Sequence, residues 1–175
     1  MKIALITDTH FGARNDNANF NEYFYNFYDN VFFPYLKEHN ITTAVHLGDV
    51  MDRRKYVSYK IAKDFRERFI DNFTGINLHM LVGNHDTFFK NTNAVNSLHE
   101  LVDGKYSNIK VYSETTEVVF DECKILFVPW INSENYTKSV NHIKNTDAQI
   151  CMGHLELNGF AMMKGMIMDH GWDKE

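Results

Sequence analysis

Apolar positions along the chain form short continuous runs that alternate with longer amphipathic segments. The runs at 2–7, 43–47 and 77–82 predict buried strands. The segments 21–39 and 58–73 carry apolar side chains at three- and four-residue spacing, which predicts helices, the first bent or shortened by Pro34. Strands that alternate with helices in this way favour a parallel sheet covered by helices on its faces, and therefore an α/β fold.

The second half of the chain continues with shorter elements. The pattern predicts a helix over 94–102, strands at 109–112, 117–120 and 124–128, a helix over 133–144 and a strand at 149–152. A hairpin turn at 121–123 joins the second and third of these strands. Because the sequence contains no linker, repeat or low-complexity tract, it predicts one domain over 1–175.

The composition limits the class of protein but does not identify a function. The chain has 175 residues, 44% of them hydrophobic and 23% charged, as is typical of globular proteins. A net charge of −5 does not indicate a nucleic-acid-binding protein. It does not exclude one, because bound cations would reverse the local sign around the acidic residues of a metal site.

The cysteines and the N-terminal sequence indicate the cellular compartment of the protein. Cys123 and Cys151 lie in apolar runs, which favours buried free thiols and a reducing compartment. The apolar run at 2–7 is too short for a signal peptide or a membrane span. We therefore expect a cytoplasmic protein with no membrane partner.

Polar motifs follow four of the predicted strands. They are Asp8-Thr9-His10, Gly48-Asp49, Gly83-Asn84-His85-Asp86 and Gly153-His154. Asp-x-His and Gly-Asp alone are typical of an ordinary turn or helix cap, whereas Gly-Asn-His-Asp is less common after a strand. Because ligand sites in open α/β sheets lie at the carboxyl ends of strands, we expect all four motifs to meet at one edge of one sheet.

The residue types in these motifs suit divalent metal ions. Carboxylate oxygen and imidazole nitrogen bind Mn²⁺, Fe²⁺ and Zn²⁺ well. Asp49 is the candidate to bridge two ions, since a carboxylate has two oxygens, and the carbonyl of Asn84 adds a neutral ligand. Two ions about 4 Å apart are suited to hydrolysis of phosphate esters.

The motif series D-x-H, GDxxD, GNHD and GH resembles the calcineurin-like metallophosphoesterases. The longer stretches 46–55, Pro129-Trp130 and 153–159 are similar to the SbcD-type DNA repair nucleases, and most of all to phage recombination endonuclease subunits. The resemblance runs from Met1 to about Gly171. It implies a layered sheet with helices on the outer faces, incomplete at the C-terminus.

The resemblance also implies roles for individual residues. It places Asp8, His10 and Asp49 on the first metal, and Asp49, Asn84 and His154 on the second. It makes His85 the catalytic residue that stabilises the transition state or protonates the leaving oxygen.

Two aspartates are assigned to supporting positions around these residues. Asp86 is expected to orient His85 or to cap the segment that follows. Asp52 stands where some SbcD-type nucleases carry a histidine, so no catalytic role is assigned to it.

Members of the family add two histidines from a G-H-x-H motif, which this sequence does not contain. The resemblance therefore implies a partial nuclease core over 1–175, with neither a capping domain nor an ATPase-binding segment. With each metal one histidine short, the isolated chain is expected to bind metal weakly and to turn over slowly.

The resemblance implies a DNA exonuclease and endonuclease of a recombination or repair complex. It implies two divalent ions, Mn²⁺ before Mg²⁺, Fe²⁺ or Zn²⁺, an SbcC-type coiled-coil ATPase partner, a homodimer, and the host-cell cytoplasm if the protein is phage-encoded. Arg53, Arg54 and Lys55 either contact DNA phosphates or form a solvated loop. A phosphoesterase acting on small molecules and a non-catalytic scaffold are the alternatives.

Overall fold

The computed structural model describes residues 1–167 and 171–172, and it contains the parallel sheet that the sequence predicts. Four strands lie side by side in the order of the chain: β1 (Ala4–Ile6), β2 (Thr43–His46), β3 (Asn77–Leu81) and β4 (Ile109–Tyr112). All three pairings are parallel, so the carboxyl ends of the strands lie at the same edge.

A second sheet holds the later strands. Its strands are β5 (Thr116–Phe120), β6 (Cys123–Val128) and β7 (Ile150–Gly153), with β5 antiparallel and β7 parallel to β6. The expectation of a single sheet was therefore wrong, because His154 follows β7 and reaches the site from the second sheet. A small hairpin, β8 (Ala161–Met163) and β9 (Met166–Ile167), was not predicted.

The helices are shorter than the sequence pattern suggests. They are α1 (Ala13–Asp16), α2 (Ala18–Phe27), α3 (Phe33–Glu38), α4 (Tyr59–Asp64), α5 (Ser97–Leu101) and α6 (Tyr136–Asn145). The predicted helix 21–39 is interrupted by a π-helical turn, Tyr28–Phe32, and Pro34 lies in the first turn of α3. Proline has no N–H to donate, so the regular hydrogen bonding changes at this point.

The second predicted helix, 58–73, is also divided. It continues from α4 through a π-helical turn, Phe65–Phe69, and a 3₁₀ turn, Ile70–Phe73. The predicted helix 94–102 begins only at Ser97, because the side chain of Asn96 accepts a hydrogen bond from His99 N and caps it there. None of the described helices is long and apolar enough to cross a membrane.

Two apolar cores give the molecule its layers. Strand residues such as Leu78 and Met80 pack with Phe65 and other helix residues on one face of the first sheet. On the other face, Val45 and Leu81 pack with side chains of the second sheet. The arrangement is therefore two sheets face to face with helices outside, as the resemblance implies.

One of the two expectations about the cysteines is confirmed. Both are free, as expected. Cys151 is exposed and Cys123 is half-buried, so the expectation of two buried thiols was wrong. The physical reason is that β7 is an edge strand, and no further strand covers it in the described part of the chain.

An aromatic cluster fixes the helical layer against the loop after β1. Phe69 is fully buried, and its ring lies 5.5 Å from that of Phe11, the residue next to His10. Its other ring neighbours are Tyr28, Phe33, His46, Phe65 and Phe73. The position of the first polar loop thus depends on packing in the helical layer.

Phe69→Ala should lower the free energy of unfolding by about 3–5 kcal/mol, because it removes a buried ring and leaves a cavity. Urea unfolding followed by circular dichroism measures the change. Tyr59→Ala is the control, since Tyr59 is 96% exposed and should change stability by less than about 0.5 kcal/mol. Equal losses in the two variants would contradict the layered packing.

Candidate metal centre

The loops after β1 and β2 run side by side and bring the first candidate ligands together. Asp8 N donates to Gly48 O at 3.1 Å, and His10 N donates to Asp49 O at 3.1 Å. These bonds continue the pairing of the two strands beyond their ends. The first two motifs are therefore placed by backbone hydrogen bonds.

Three candidate ligands have left-handed backbone conformations. The φ angles of Asp8, His10 and Asp49 are 53°, 42° and 55°. Such conformations are uncommon outside glycine, although Asp and His adopt them more readily than most residues. Strain of this kind persists only where surrounding contacts enforce it, and it is concentrated at functional sites.

Two glycines allow the loops to approach closely. A Cβ on Gly83 would lie 2.2 Å from Asp49 N and 2.3 Å from Asp49 Oδ1. A Cβ on Gly48, whose φ is +111°, would lie 2.6 Å from Nδ1 of His154. Any side chain at either position would displace a candidate ligand.

Asp86 joins the loops after β2 and β3. Its buried carboxylate accepts hydrogen bonds from Val50 N at 3.0 Å, Met51 N at 2.9 Å and Gly83 N at 2.9 Å. The expectation that it orients His85 or caps the following segment was therefore wrong. Burial raises the pKa of Asp86 to about 6 in spite of these bonds.

Thr9 and His46 support the loops that carry the candidate ligands, and sequence analysis assigned no role there to Thr9. Gly48 N donates to Nδ1 of His46 at 3.2 Å, so Nε2 carries the proton and donates to Thr9 Oγ1 at 3.0 Å. Burial lowers the pKa of His46 to about 3, which keeps the ring neutral. The alternation of His46 with apolar residues signals a structural histidine, and the structure confirms that interpretation.

The two carboxylate oxygens of Asp49 face different histidines. Oδ2 lies 3.8 Å from Nε2 of His10, and Oδ1 lies 3.4 Å from Nε2 of His154. Oδ1 also accepts a hydrogen bond from His85 N at 2.8 Å. A carboxylate that bridges two ions must present one oxygen to each ion, and the two oxygens of Asp49 face different candidate ligands. The bridging role itself stays a prediction.

His154 and Asn84 meet beside Asp49. His154 Nδ1 donates to Leu47 O at 3.0 Å, which leaves the lone pair of Nε2 facing Asn84 Oδ1 at 2.9 Å. Nε2 of His154 and Oδ1 of Asn84 are then both hydrogen-bond acceptors, and neither donates to the other. Turning the amide of Asn84 would let it donate to His154 and Asp49, whereas a cation among the three groups would hold the oxygen inward.

His10 provides a further indication that the residues fit a metal. Its Nδ1 is buried without a hydrogen-bond partner among the described residues, 3.8 Å from Asp52 Oδ1. Its Nε2 lies 3.6 Å from Asp8 Oδ1. One ligand atom each of His10, Asp49 and His85 lies within 4.8 Å of the others, so the ring of His85 borders the space between the candidate ligands. Imidazole and carboxylate donors of this kind fit a divalent ion.

His85 is oriented by the backbone of Asp52. Its Nδ1 donates to Asp52 O at 2.6 Å, so Nε2 is left free. Its ring stands edge-on to that of His10, with centroids 5.1 Å apart. The sequence identified Asp52 as a supporting residue, but it could not show that the carbonyl oxygen makes this contact.

The electrostatics of the site favour cations. The neighbouring His10 lowers the pKa of Asp8 to about 2, and Asp8 in turn raises the pKa of His10. Burial opposes both charges in the pair formed by Asp49 and His154, yet their interaction lowers the pKa of Asp49 and raises that of His154. Both carboxylates are therefore ionised at neutral pH.

The three basic residues that follow this loop are not equivalent. Arg53 forms an ion pair with Asp16, whereas the guanidinium of Arg54 lies over the ring of Trp130, 4.9 Å from its centroid. Lys55 lies 5.9 Å from the centroid of Phe88. The structure therefore separates residues that the sequence treated as one group.

Comparison with known proteins gives one similar sequence and one weakly similar structure. Exonuclease subunit 1 of Enterobacteria phage T4 is 43% identical over 143 residues, which is 81% of this chain and 41% of that protein. A solved protein of unknown function from Aquifex aeolicus aligns with a TM-score of 0.42 and 16% identity, over 95% of this chain and 82% of the other.

The calcineurin-like phosphoesterase family matches residues 1–173, almost the whole sequence. The match includes every candidate ligand named above and both sheets. This chain belongs to the calcineurin-like phosphoesterase family.

Proposed function

We propose that the protein is the phosphoesterase core of a DNA nuclease that cleaves phosphodiester bonds with the help of two divalent metal ions. The observation that carries the proposal is the meeting of Asp8, His10, Asp49, Asn84, His85 and His154 at the ends of four strands. The likeness to a phage exonuclease subunit supports DNA as the substrate. Because this chain spans 41% of that relative, the activity of the whole relative is part of the proposal.

The family uses divalent metal ions. The two ions proposed for this protein are Mn²⁺, with Mg²⁺, Fe²⁺ or Zn²⁺ as alternatives. Asp8, His10 and Asp49 would hold one ion, and Asp49, Asn84 and His154 the other. When bound, the ions would acidify a water molecule and neutralise charge on the phosphate. The bond from Nδ1 of His154 to Leu47 O fixes the tautomer that presents Nε2 to a metal.

His85 is proposed to act on the leaving oxygen. The hydrogen bond to Asp52 O holds the ring and leaves Nε2 free to donate or accept a proton. His85 N meanwhile holds the carboxylate of Asp49. The same residue thus links the candidate catalytic group to the candidate shared ligand.

The proposals about partners and assembly are supported by the relative's name and by the sequence resemblance. The name of the phage relative, a subunit, supports action within a complex. The SbcC-type ATPase partner, the homodimer, the role in repair or recombination and the cytoplasmic location stay predictions of the resemblance.

His85→Ala should lower kcat for DNA cleavage in Mn²⁺ by at least about 100-fold, because it removes the proton transfer to the leaving group. Calorimetry with Mn²⁺ should show nearly unchanged affinity, with His142→Ala as a control far from the site. An equal loss of metal affinity would instead make His85 a ligand.

The same assays separate the rival functions. Faster turnover of bis(p-nitrophenyl) phosphate than of any DNA substrate would favour a small-molecule phosphoesterase. Absence of hydrolysis in both the parent and His85→Ala, with DNA or partner binding retained, would favour a scaffold.

Mn²⁺ affinity should rise with pH between roughly pH 5 and pH 8, the range in which histidines titrate. The pKa values of His10 and His154 are raised, so the metal-free protein retains their protons to higher pH than usual. A metal must displace these protons, and each displaced proton strengthens binding by about tenfold per pH unit. Calorimetry in two buffers of different ionisation enthalpy counts the protons released, and a pH-independent affinity would contradict this ligand assignment.

A further inference from the structure

The loop after β2 carries Arg53, Arg54 and Lys55 in succession, and each has a different environment. The charge of Arg53 is compensated by its ion pair with Asp16. Its guanidinium also donates to Asn15 Oδ1 at 3.1 Å and to Tyr56 OH at 3.3 Å. Arg53 therefore fastens the turn at Ala13–Asp16 to this loop.

Arg54 is held in place without a carboxylate partner. Its Nη1 donates to Thr87 Oγ1 at 2.7 Å, and its guanidinium lies against the ring of Trp130. Within residues 1–167 and 171–172, no carboxylate lies within 4.0 Å of it, unlike the case of Arg53. Arg54 thus carries a positive charge in a fixed orientation, with no direct ion pair among the described residues.

Arg54 also lies close to the metal centre. Thr87, to which it is bonded, follows the motif containing Asn84 and His85, and Thr87 Oγ1 itself donates to Asn84 O at 3.1 Å. Burial lowers the pKa of Arg54, while the carboxylates of Asp49, Glu156 and Asp86 oppose that shift. A substrate phosphate at the metals would therefore have Arg54 beside it.

The surface beyond Arg54 suits a nucleic-acid strand. Phe88 and Phe89 are 39% and 47% exposed, with ring centroids 4.7 Å apart. Phe88 and Lys55 line a cavity of about 250 Å³ together with Arg54 and Tyr56. Basic side chains among exposed aromatic rings are typical of surfaces that bind single strands.

We propose that Arg54 binds the backbone phosphate next to the one that is cleaved, and that Arg53 makes no contact with DNA. The inference rests on the proposed nuclease function. A guanidinium presents several donors in a plane that matches two phosphate oxygens. Because Thr87 and Trp130 already hold the side chain, little conformational entropy is lost on binding.

The first test is the salt dependence of DNA binding, measured by fluorescence anisotropy with a labelled single-stranded oligothymidylate. The His85→Ala background in Mn²⁺ prevents cleavage during the measurement. Arg54→Ala should weaken binding and reduce the slope of log K against log salt by about 0.7, the value for one contact on a single strand. Arg53→Ala is the matched control and should leave the slope unchanged.

The second test locates the phosphate. In a series of oligonucleotides, one phosphate at a time is replaced by an uncharged methylphosphonate. The parent protein should bind more weakly to the oligonucleotide in which the phosphate next to the scissile one is replaced. In Arg54→Ala that penalty should disappear, while the penalties at other positions remain. Arg54→Gln, which keeps a polar side chain of intermediate length without the charge, should behave like Arg54→Ala and guards against misfolding of the alanine variant.

The outcomes are distinct. If the parent cleaves DNA but the penalty persists in both Arg54 variants, or disappears in Arg53→Ala, the inference is wrong and the proposed function stands. If the protein neither binds nor cleaves DNA, the proposed function fails and the inference fails with it.

Discussion

The loops after β2 and β3 meet backbone to backbone, and the metal centre depends on this contact. It is possible only because Gly83 has no side chain, since a Cβ there would collide with Asp49. Asp86 then fastens both loops through three backbone N–H groups. Because Asp49 and Asn84 lie in these loops, their separation is set by the fold before any ion binds.

This contact concentrates negative charge in a partly buried place. Carboxylates of Asp8, Asp49 and Asp52 lie within 3.8 Å of the ring of His10, and such groups repel one another. Raised histidine pKa values relieve part of the repulsion in the free protein. A bound cation would relieve it further.

Much of this architecture was predictable because the apolar runs that form strands are strong local signals. The strand predicted at 109–112 matches β4, and the others differ only at their ends. Pro34 indicated that the first long helix would be bent or shortened. The interruption of the second was not predictable, since its π-helical turn depends on how rings such as Phe65 and Phe69 pack against the sheet. The expectation that all four motifs lie at the edge of one sheet was wrong, because β7 pairs with β6 in the second sheet and its own sequence does not reveal that partner.

The sequence by itself identified the candidate residues: the aspartates, histidines and asparagine that follow four strands. Only the tertiary structure decided their pairing. It places His10 and His154 on different oxygens of Asp49. It also pairs Arg53 with Asp16, whereas Arg54 forms no ion pair within the described part of the chain. The physical reason is that local sequence sets the type and order of side chains, whereas contacts between segments far apart in the chain are set by how the two sheets pack.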